Sequence, residues 1–309
     1  MDAAAVCLAL LVLLIVFVSY RKRSEHKKRI QTHKFMTVTA DDVKELQELR
    51  SGKWNRFQPV NLVPHTIQGK EHQLRAGLTF TPYADSSPCT AHCHFCSETL
   101  ERTSLPNEPT PYDLPKIRAP LSHKNYFEAF QNLLEEFRSI PFTLGLSISG
   151  LEATADAAWI ISLCDMLSHP RYQPIFGEKV LYTNGSGLVN DDIVAALRRA
   201  GVGRIELSRQ HNNEAVNQKI MRFGNKVDIR KNSVYEQVVR DLTASTDFPC
   251  QIKNSCILTK AGISSIEDIE EYARWASTLG VGLIVFRELC QLSTGENGFV
   301  QNRTKTWID

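Results

Sequence analysis

Three cysteines stand at C-x3-C-x2-C spacing in Cys89-Thr90-Ala91-His92-Cys93-His94-Phe95-Cys96, with aromatic Phe95 directly before the last. Thiolates this close on one loop suit a metal centre. Each can hold one iron of a [4Fe-4S] cubane, leaving the fourth iron without a protein ligand and open for chemistry. The other reading is structural zinc, with His92 or His94 as fourth ligand. Zinc sites usually pair two C-x2-C units, or a cysteine pair with a distant histidine pair. No partner pair is visible, so the spacing favours the cluster and leaves His92 and His94 as loop residues.

A loop can present three thiolates only if regular elements hold its ends. Residues 77–83 read as a strand that leads into the cysteine loop. Pro106, Pro109, Pro111, Pro115 and Pro120 then exclude regular helix or central strand and predict an excursion or lid. Beyond it the pattern alternates. Helical periodicity is expected over 126–140, 155–168, 191–200, 214–221 with 234–244, and 266–279. Strands are expected over 143–149, 179–183, 204–208, 250–258 and 282–289. Asn190 and Ser265 sit where N-caps belong, and Gly201 and Gly280 where helices stop. Six strands alternating with five helical regions imply an α/β fold with parallel strands and right-handed crossovers. A closed barrel needs eight strands. The expectation is therefore an open, partial (β/α)6 TIM-like barrel, with function at the C-terminal ends of its strands.

The rest of the composition sets bounds. The chain has 309 residues, 42% of them hydrophobic, and a formal net charge of +2. That is enough apolar material for a well-buried core, and the charge balance gives no reason to expect nucleic acid as partner. Of the eight cysteines, three are bunched too tightly to pair with one another, and the chain is no short secreted scaffold. A reducing compartment follows. Cys164 falls on the apolar side of a helix, and Cys250, Cys256 and Cys290 form a loose set that reads as core. On an unbroken strand Cys250 and Cys256 would lie about 20 Å apart, too far to share a metal.

Residues 3–20 are an uncharged run of mostly Ala, Leu, Val and Ile, followed at once by Arg21, Lys22, Arg23, Lys27, Lys28 and Arg29. As a helix the run spans about 27 Å, just enough for a bilayer core of about 30 Å. No basic segment precedes it and no cleavage motif follows it, so an uncleaved single-pass anchor is expected rather than a signal peptide. The positive-inside rule then places the remaining chain on the cytoplasmic side. The expected organisation is an anchor over 1–21, a basic, irregular linker with one short helix near 40–50 over 22–71, and the barrel over 72–309.

The cysteine spacing, Phe95 and the alternation together resemble the radical S-adenosylmethionine (SAM) superfamily over most of the chain beyond residue 72. Later strand ends extend the resemblance. Ser149-Gly150-Leu151-Glu152-Ala153-Thr154 is similar to the family's Gly-Gly-Glu motif, with Leu151 in place of one glycine. Thr183-Asn184-Gly185, Ile252-Lys253-Asn254 and Phe286-Arg287-Glu288 look like corresponding segments of the molybdenum-cofactor cyclase branch. That branch has a second cluster on C-terminal cysteines and a glycine-rich tail, and this chain has neither, which argues against molybdopterin synthesis.

The resemblance implies the following roles. Cys89, Cys93 and Cys96 bind the [4Fe-4S] cluster. Phe95, Glu152, Asn184, Ser208 and Lys253 bind SAM, with Glu152 at its ammonium group and Lys253 at its carboxylate. A donor such as flavodoxin or ferredoxin supplies one electron. SAM is cleaved to methionine and a 5′-deoxyadenosyl radical, which takes a hydrogen atom from the substrate. Arg209, His211 and Arg287 are expected to point toward the barrel mouth. No catalytic side chain and no substrate can be read from the sequence. Two alternatives stay open: a non-catalytic, zinc-stabilised scaffold tethered to a membrane, and a SAM-dependent radical methyltransferase.

Overall fold

A computed structural model describes residues 62–84, 87–93, 95, 96 and 123–288. All of them belong to one compact unit, Asn61–Asp309. The apolar run 3–20, the helix expected near 40–50, the proline-rich excursion, His94, Cys290 and the end of the last expected strand lie outside the described residues. Among the described residues, no helix is long and apolar enough to cross a membrane.

The alternation resolves into one parallel sheet. In chain order its strands are β3 (Thr79–Phe80), β4 (Tyr83–Ala84), β5 (Leu144–Gly150), β6 (Phe176–Thr183), β7 (Arg204–Ser208), β8 (Gln251–Leu258) and β9 (Leu283–Glu288). The spatial order is β3-β5-β6-β7-β8-β9, and β4 also pairs with β5. Every pairing is parallel. The crossovers carry α1 (His123–Phe137), α2 (Ala157–Ser168), α3 (Asp191–Arg199), α4 (Glu214–Met221), α5 (Asn232–Ala244) and α6 (Ile266–Thr278). The fold is thus α/β with a parallel sheet, as expected.

Residue alternation explains the two faces of the sheet. Leu144, Leu146 and Ile148 of β5 are buried in the core, while Gly145, Ser147 and Ser149 face the other way. Trp159, Ile160, Leu163, Cys164 and Leu167 of α2 join that core, and Cys164 is the buried core cysteine expected. The opposite face is charged. Arg204 and Glu206 of β7 and Lys253 of β8 share it with Glu178 and Arg287.

Local signals start and stop the helices. Asn190 accepts the Asp192 N–H at 2.9 Å, with Asp191 and Asp192 in the first turn and Arg198 and Arg199 in the last. Ser265 and Asp268 form a reciprocal capping box on α6. Asp156 caps α2 by accepting the Trp159 N–H at 3.0 Å.

Two expectations need correction. The linker was expected to be irregular up to residue 71, but β1 (Leu62–Ile67) and β2 (Lys70–Arg75) form an antiparallel hairpin. Its two-residue turn, Gln68 at φ 50° and Gly69 at φ 72°, has the doubly positive φ of a type I′ turn. Gln68 N–H donates to Glu136 Oε2 of α1 at 2.9 Å, which ties the turn to the larger fold. β2 is polar and exposed except at Leu74, and β1 alternates only between exposed and half-buried, so no fully buried face marks the hairpin. The strand expected over 77–83 is broken into β3 and β4. Pro82 has no N–H for the ladder, and the chain re-pairs with β5 only after it.

Candidate active site at the strand ends

The cysteine loop leaves the C-terminal side of β4 and docks on the end of α4, about 130 residues away in sequence. Arg222 caps α4 in the left-handed region at φ 52°, its N–H donating to Gln218 O at 2.9 Å. Gln218 Nε2 donates to Phe223 O at 2.8 Å. The turned chain lays Phe223 beside Ala91 as an isolated antiparallel bridge. His92 N–H donates to Met221 O at 3.0 Å, and Gly224 N–H to Thr90 O at 3.1 Å. Cys93 Sγ lies 3.6 Å from Met221 Sδ, and Cys96 N–H donates to Cys93 O at 3.2 Å. Cys89, Cys93 and Phe95 are half-buried against the core, whereas His92 is exposed.

The thiols are ill at ease as free groups. Burial pushes Cys89 up to about 11, with the charges of Glu152 and Cys96 adding to the rise. Burial pushes Cys93 up further, reinforced by Cys96 and Cys89. A cationic centre relieves both the desolvation and the mutual repulsion of thiolates, so the donor set fits a thiolate-bound metal centre. Among the described residues, no three His, Cys, Asp or Glu side chains converge on one metal-ion position.

Beside the loop lies a buried carboxylate. Glu152, 4% exposed, follows β5. Its Oε1 accepts the Thr154 N–H at 3.1 Å, the Thr154 hydroxyl at 2.6 Å and the Thr183 hydroxyl at 2.5 Å. Its Oε2 accepts the Asn184 N–H at 2.7 Å. Each hydroxyl has one proton and gives it to Glu152, so both are left as acceptors. Thr183 Oγ1 takes the Gly185 N–H at 2.9 Å, and Thr154 Oγ1 takes the Gly187 N–H at 3.0 Å. A Cβ at position 187 would stand 2.3 Å from Thr154 O, so only glycine lets the two turns approach this closely. One carboxylate thus fastens the end of β5 to the end of β6.

Asn184 carries the connection to the cysteine loop. Its Nδ2 lies 2.9 Å from Thr90 Oγ1 and 3.6 Å from Cys89 Sγ. The structure therefore brings together Cys89, Glu152 and Asn184 from three segments. Ser208 closes β7 one residue beyond Leu207, which pairs with Thr183.

Lys253 lies lower on the same charged face. Register puts it opposite Glu206, and its Nζ donates to Glu206 Oε1 at 2.9 Å. Arg287 Nη2 stands 3.6 Å from Glu206 Oε2 and is half-exposed. Arg209 does not point to the mouth. It is 1% exposed, its guanidinium lies over the Tyr235 ring at 4.6 Å, and it donates to Ile229 O at 3.3 Å and to Asn232. His211 Nδ1 accepts the Asn213 N–H at 2.9 Å, and burial lowers its affinity for a proton.

Several site residues escaped the sequence reading. Thr90, Thr154 and Thr183 stood inside the quoted motifs, but only the packed turns reveal their hydrogen bonds. Gln210, 2% exposed, extends the β7–β8 junction by accepting the Ile257 N–H at 2.7 Å on its amide oxygen. No local pattern marks such a role.

No protein-family model matches the chain, and no curated protein matches it. Solved structures do resemble it in shape. SuiB of Streptococcus suis, crystallised with S-adenosylmethionine, matches over 91% of this chain and 54% of its own, at 13% identity and a TM-score of 0.46. The chain thus spans about half of SuiB. TsrM of Kitasatospora setae, a radical S-adenosylmethionine methyltransferase with cobalamin and a [4Fe-4S] cluster bound, matches over 69% and 36%, at 12% identity and a TM-score of 0.46. A radical SAM methyltransferase of Sphaerobacter thermophilus matches over 84% and 77%, at 13% identity and a TM-score of 0.43.

Proposed function

We propose that the chain is a radical SAM enzyme whose parallel sheet is a six-stranded partial barrel with the cofactor site at its strand ends. The observation that carries this reading is the join between the three-cysteine loop and the Glu152–Asn184 strand ends. A loop with three thiolates is fastened directly to the two turns where an amino-acid cofactor would rest. Cys89, Cys93 and Cys96 would hold a [4Fe-4S] cluster. A cluster held there would supply the electron that cleaves bound SAM to methionine and a 5′-deoxyadenosyl radical.

The protein's own residues position and shield. Glu152 Oε2 accepts one hydrogen bond from Asn184 and keeps a lone pair that suits an ammonium donor. Phe95 and Met221 cover the loop with apolar and thioether surface. Ser208 offers a hydroxyl at the next strand end. Lys253 would have to share its ammonium between Glu206 and the carboxylate of SAM. The electron would come from a flavodoxin- or ferredoxin-like donor, and the run 3–20 would hold the enzyme at a membrane with this site on the cytoplasmic side.

Anaerobic reconstitution tests the reading. About four irons per chain and dithionite-dependent 5′-deoxyadenosine are expected, and both should vanish in Cys93→Ala. Stoichiometric zinc without SAM cleavage would reveal a scaffold instead. S-adenosylhomocysteine among the products would identify methyl transfer.

A further inference from the structure

Asn184 faces two ways. Its backbone N–H is held by Glu152, and its side chain reaches into the cysteine loop, where it is 7% exposed. The amide orientation follows from its neighbours. Oδ1 accepts the Ser186 N–H at 2.9 Å, so the nitrogen must face the loop. Two protons there meet two acceptors. Thr90 gives its own hydroxyl proton to Ser186 Oγ at 2.8 Å, which leaves Thr90 Oγ1 as acceptor for one amide proton at 2.9 Å. The other points to Cys89 Sγ at 3.6 Å, an ordinary reach for an N–H···S contact. The Ala91 N–H adds a second donor to the same sulfur at 3.5 Å. Cys93 Sγ has no side-chain amide aimed at it among the described residues and lies against the Met221 thioether.

We infer that Asn184 is a positioning residue that sets the reduction potential of the cluster by donating an N–H to the Cys89 sulfur. The inference rests on reading the cysteine loop as a cluster site. Reduction adds negative charge to the iron–sulfur core, part of it on the cysteine sulfurs. A donor aimed at one of them stabilises the reduced form and raises the potential. Both Asn184 protons are then committed to Thr90 and Cys89, which leaves none for SAM. Glu152 acts at one remove, because it holds the turn that aims the amide.

The test uses the full-length, anaerobically reconstituted protein and its Asn184→Leu and Asn184→Asp variants. Three readouts are needed: iron per chain, midpoint potential by titration followed by electron paramagnetic resonance, and SAM affinity. Both variants are expected to keep their iron and bind SAM as the parent does. Asn184→Leu should make reduction about tenfold less favourable, a downward shift of about 59 mV for one electron. Asn184→Asp keeps the acceptor for Ser186 but places a negative charge beside Cys89, so its potential should fall further. Unchanged potentials in iron-replete variants would overturn the inference alone. So would weakened SAM binding at constant potential, which would make Asn184 a SAM contact. Loss of iron from both variants would make it a structural requirement and overturn it too. A parent protein that takes up no iron would bring down the cluster reading itself.

Discussion

Two buried glutamates on the same sheet are solvated in opposite ways. Glu152, beyond the end of β5, is held by four neutral donors and, among the described residues, by no cation. Glu206, inside β7, is 3% exposed and has Lys253, Arg204 and Arg287 around it. Even so, Glu206 Oε2 and Arg204 Nε are buried without a hydrogen-bond partner among the described residues. Aligned dipoles saturate one oxygen of the carboxylate, hold the other by a single N–H, and lock the chain that supplies them. A ring of flexible cations offsets its charge without meeting its geometry. The first arrangement suits a fixed site wall; the second leaves room for a ligand to exchange partners.

The largest effect should come from breaking the locked arrangement. Glu152→Ala leaves four donors without their acceptor and should cost about 3–5 kcal/mol of stability in urea unfolding. It should also let the Asn184 amide lose its aim at Cys89, seen as a lower midpoint potential in iron-replete protein. A loss below 1 kcal/mol would mean that water replaces the carboxylate freely and that the wall is not fixed.

The ion-paired glutamate should be more forgiving. Glu206→Ala strands Lys253, whose side chain is 16% exposed, and should cost about 2–3 kcal/mol. Adding Lys253→Ala should recover part of that loss. If the two changes simply add, the pair is not coupled, and Lys253 is free to serve SAM alone.

The smallest effect is a pH dependence from His211. Burial lowers its affinity for a proton; Arg209 acts in the same sense, and Asp268 and Glu271 oppose it. The folded state therefore prefers the neutral ring. Its contribution is complete above the unfolded value of 6.5 and is lost as pH falls from there through the lower folded value. The drop in urea midpoint between pH 7.5 and 5.5 should be smaller in His211→Asn than in the parent. Equal drops would show that His211 is not the group responsible.

Much of the frame was legible locally. Strand β7 and helix α4 run over the expected residues, and the caps at Asn190 and Ser265 are as expected, because a cap needs only the next three residues. The hairpin 62–75 was missed because it is exposed and Gln68-Gly69 is a weak turn signature. Pro82 broke a strand that hydrophobic pattern alone kept whole. Arg209 was misplaced because a strand's period assigns a face only within the strand, and Arg209 lies just past its end, packed on the Tyr235 ring.

By itself the sequence determined the chemistry on offer, namely three thiolates on one loop, a carboxylate two residues past a strand and an asparagine in a tight turn. It also determined the alternating elements that deliver them. Those properties rest on hydrogen bonds and side-chain periods that span a few residues. Only the tertiary structure decided that Asn184 meets Cys89 across 95 positions, that Phe223 carries the cysteine loop, and that Lys253 is already held by Glu206. Those contacts depend on sheet register and on the burial of a shared core, which sum over the whole chain and leave no mark at any one position.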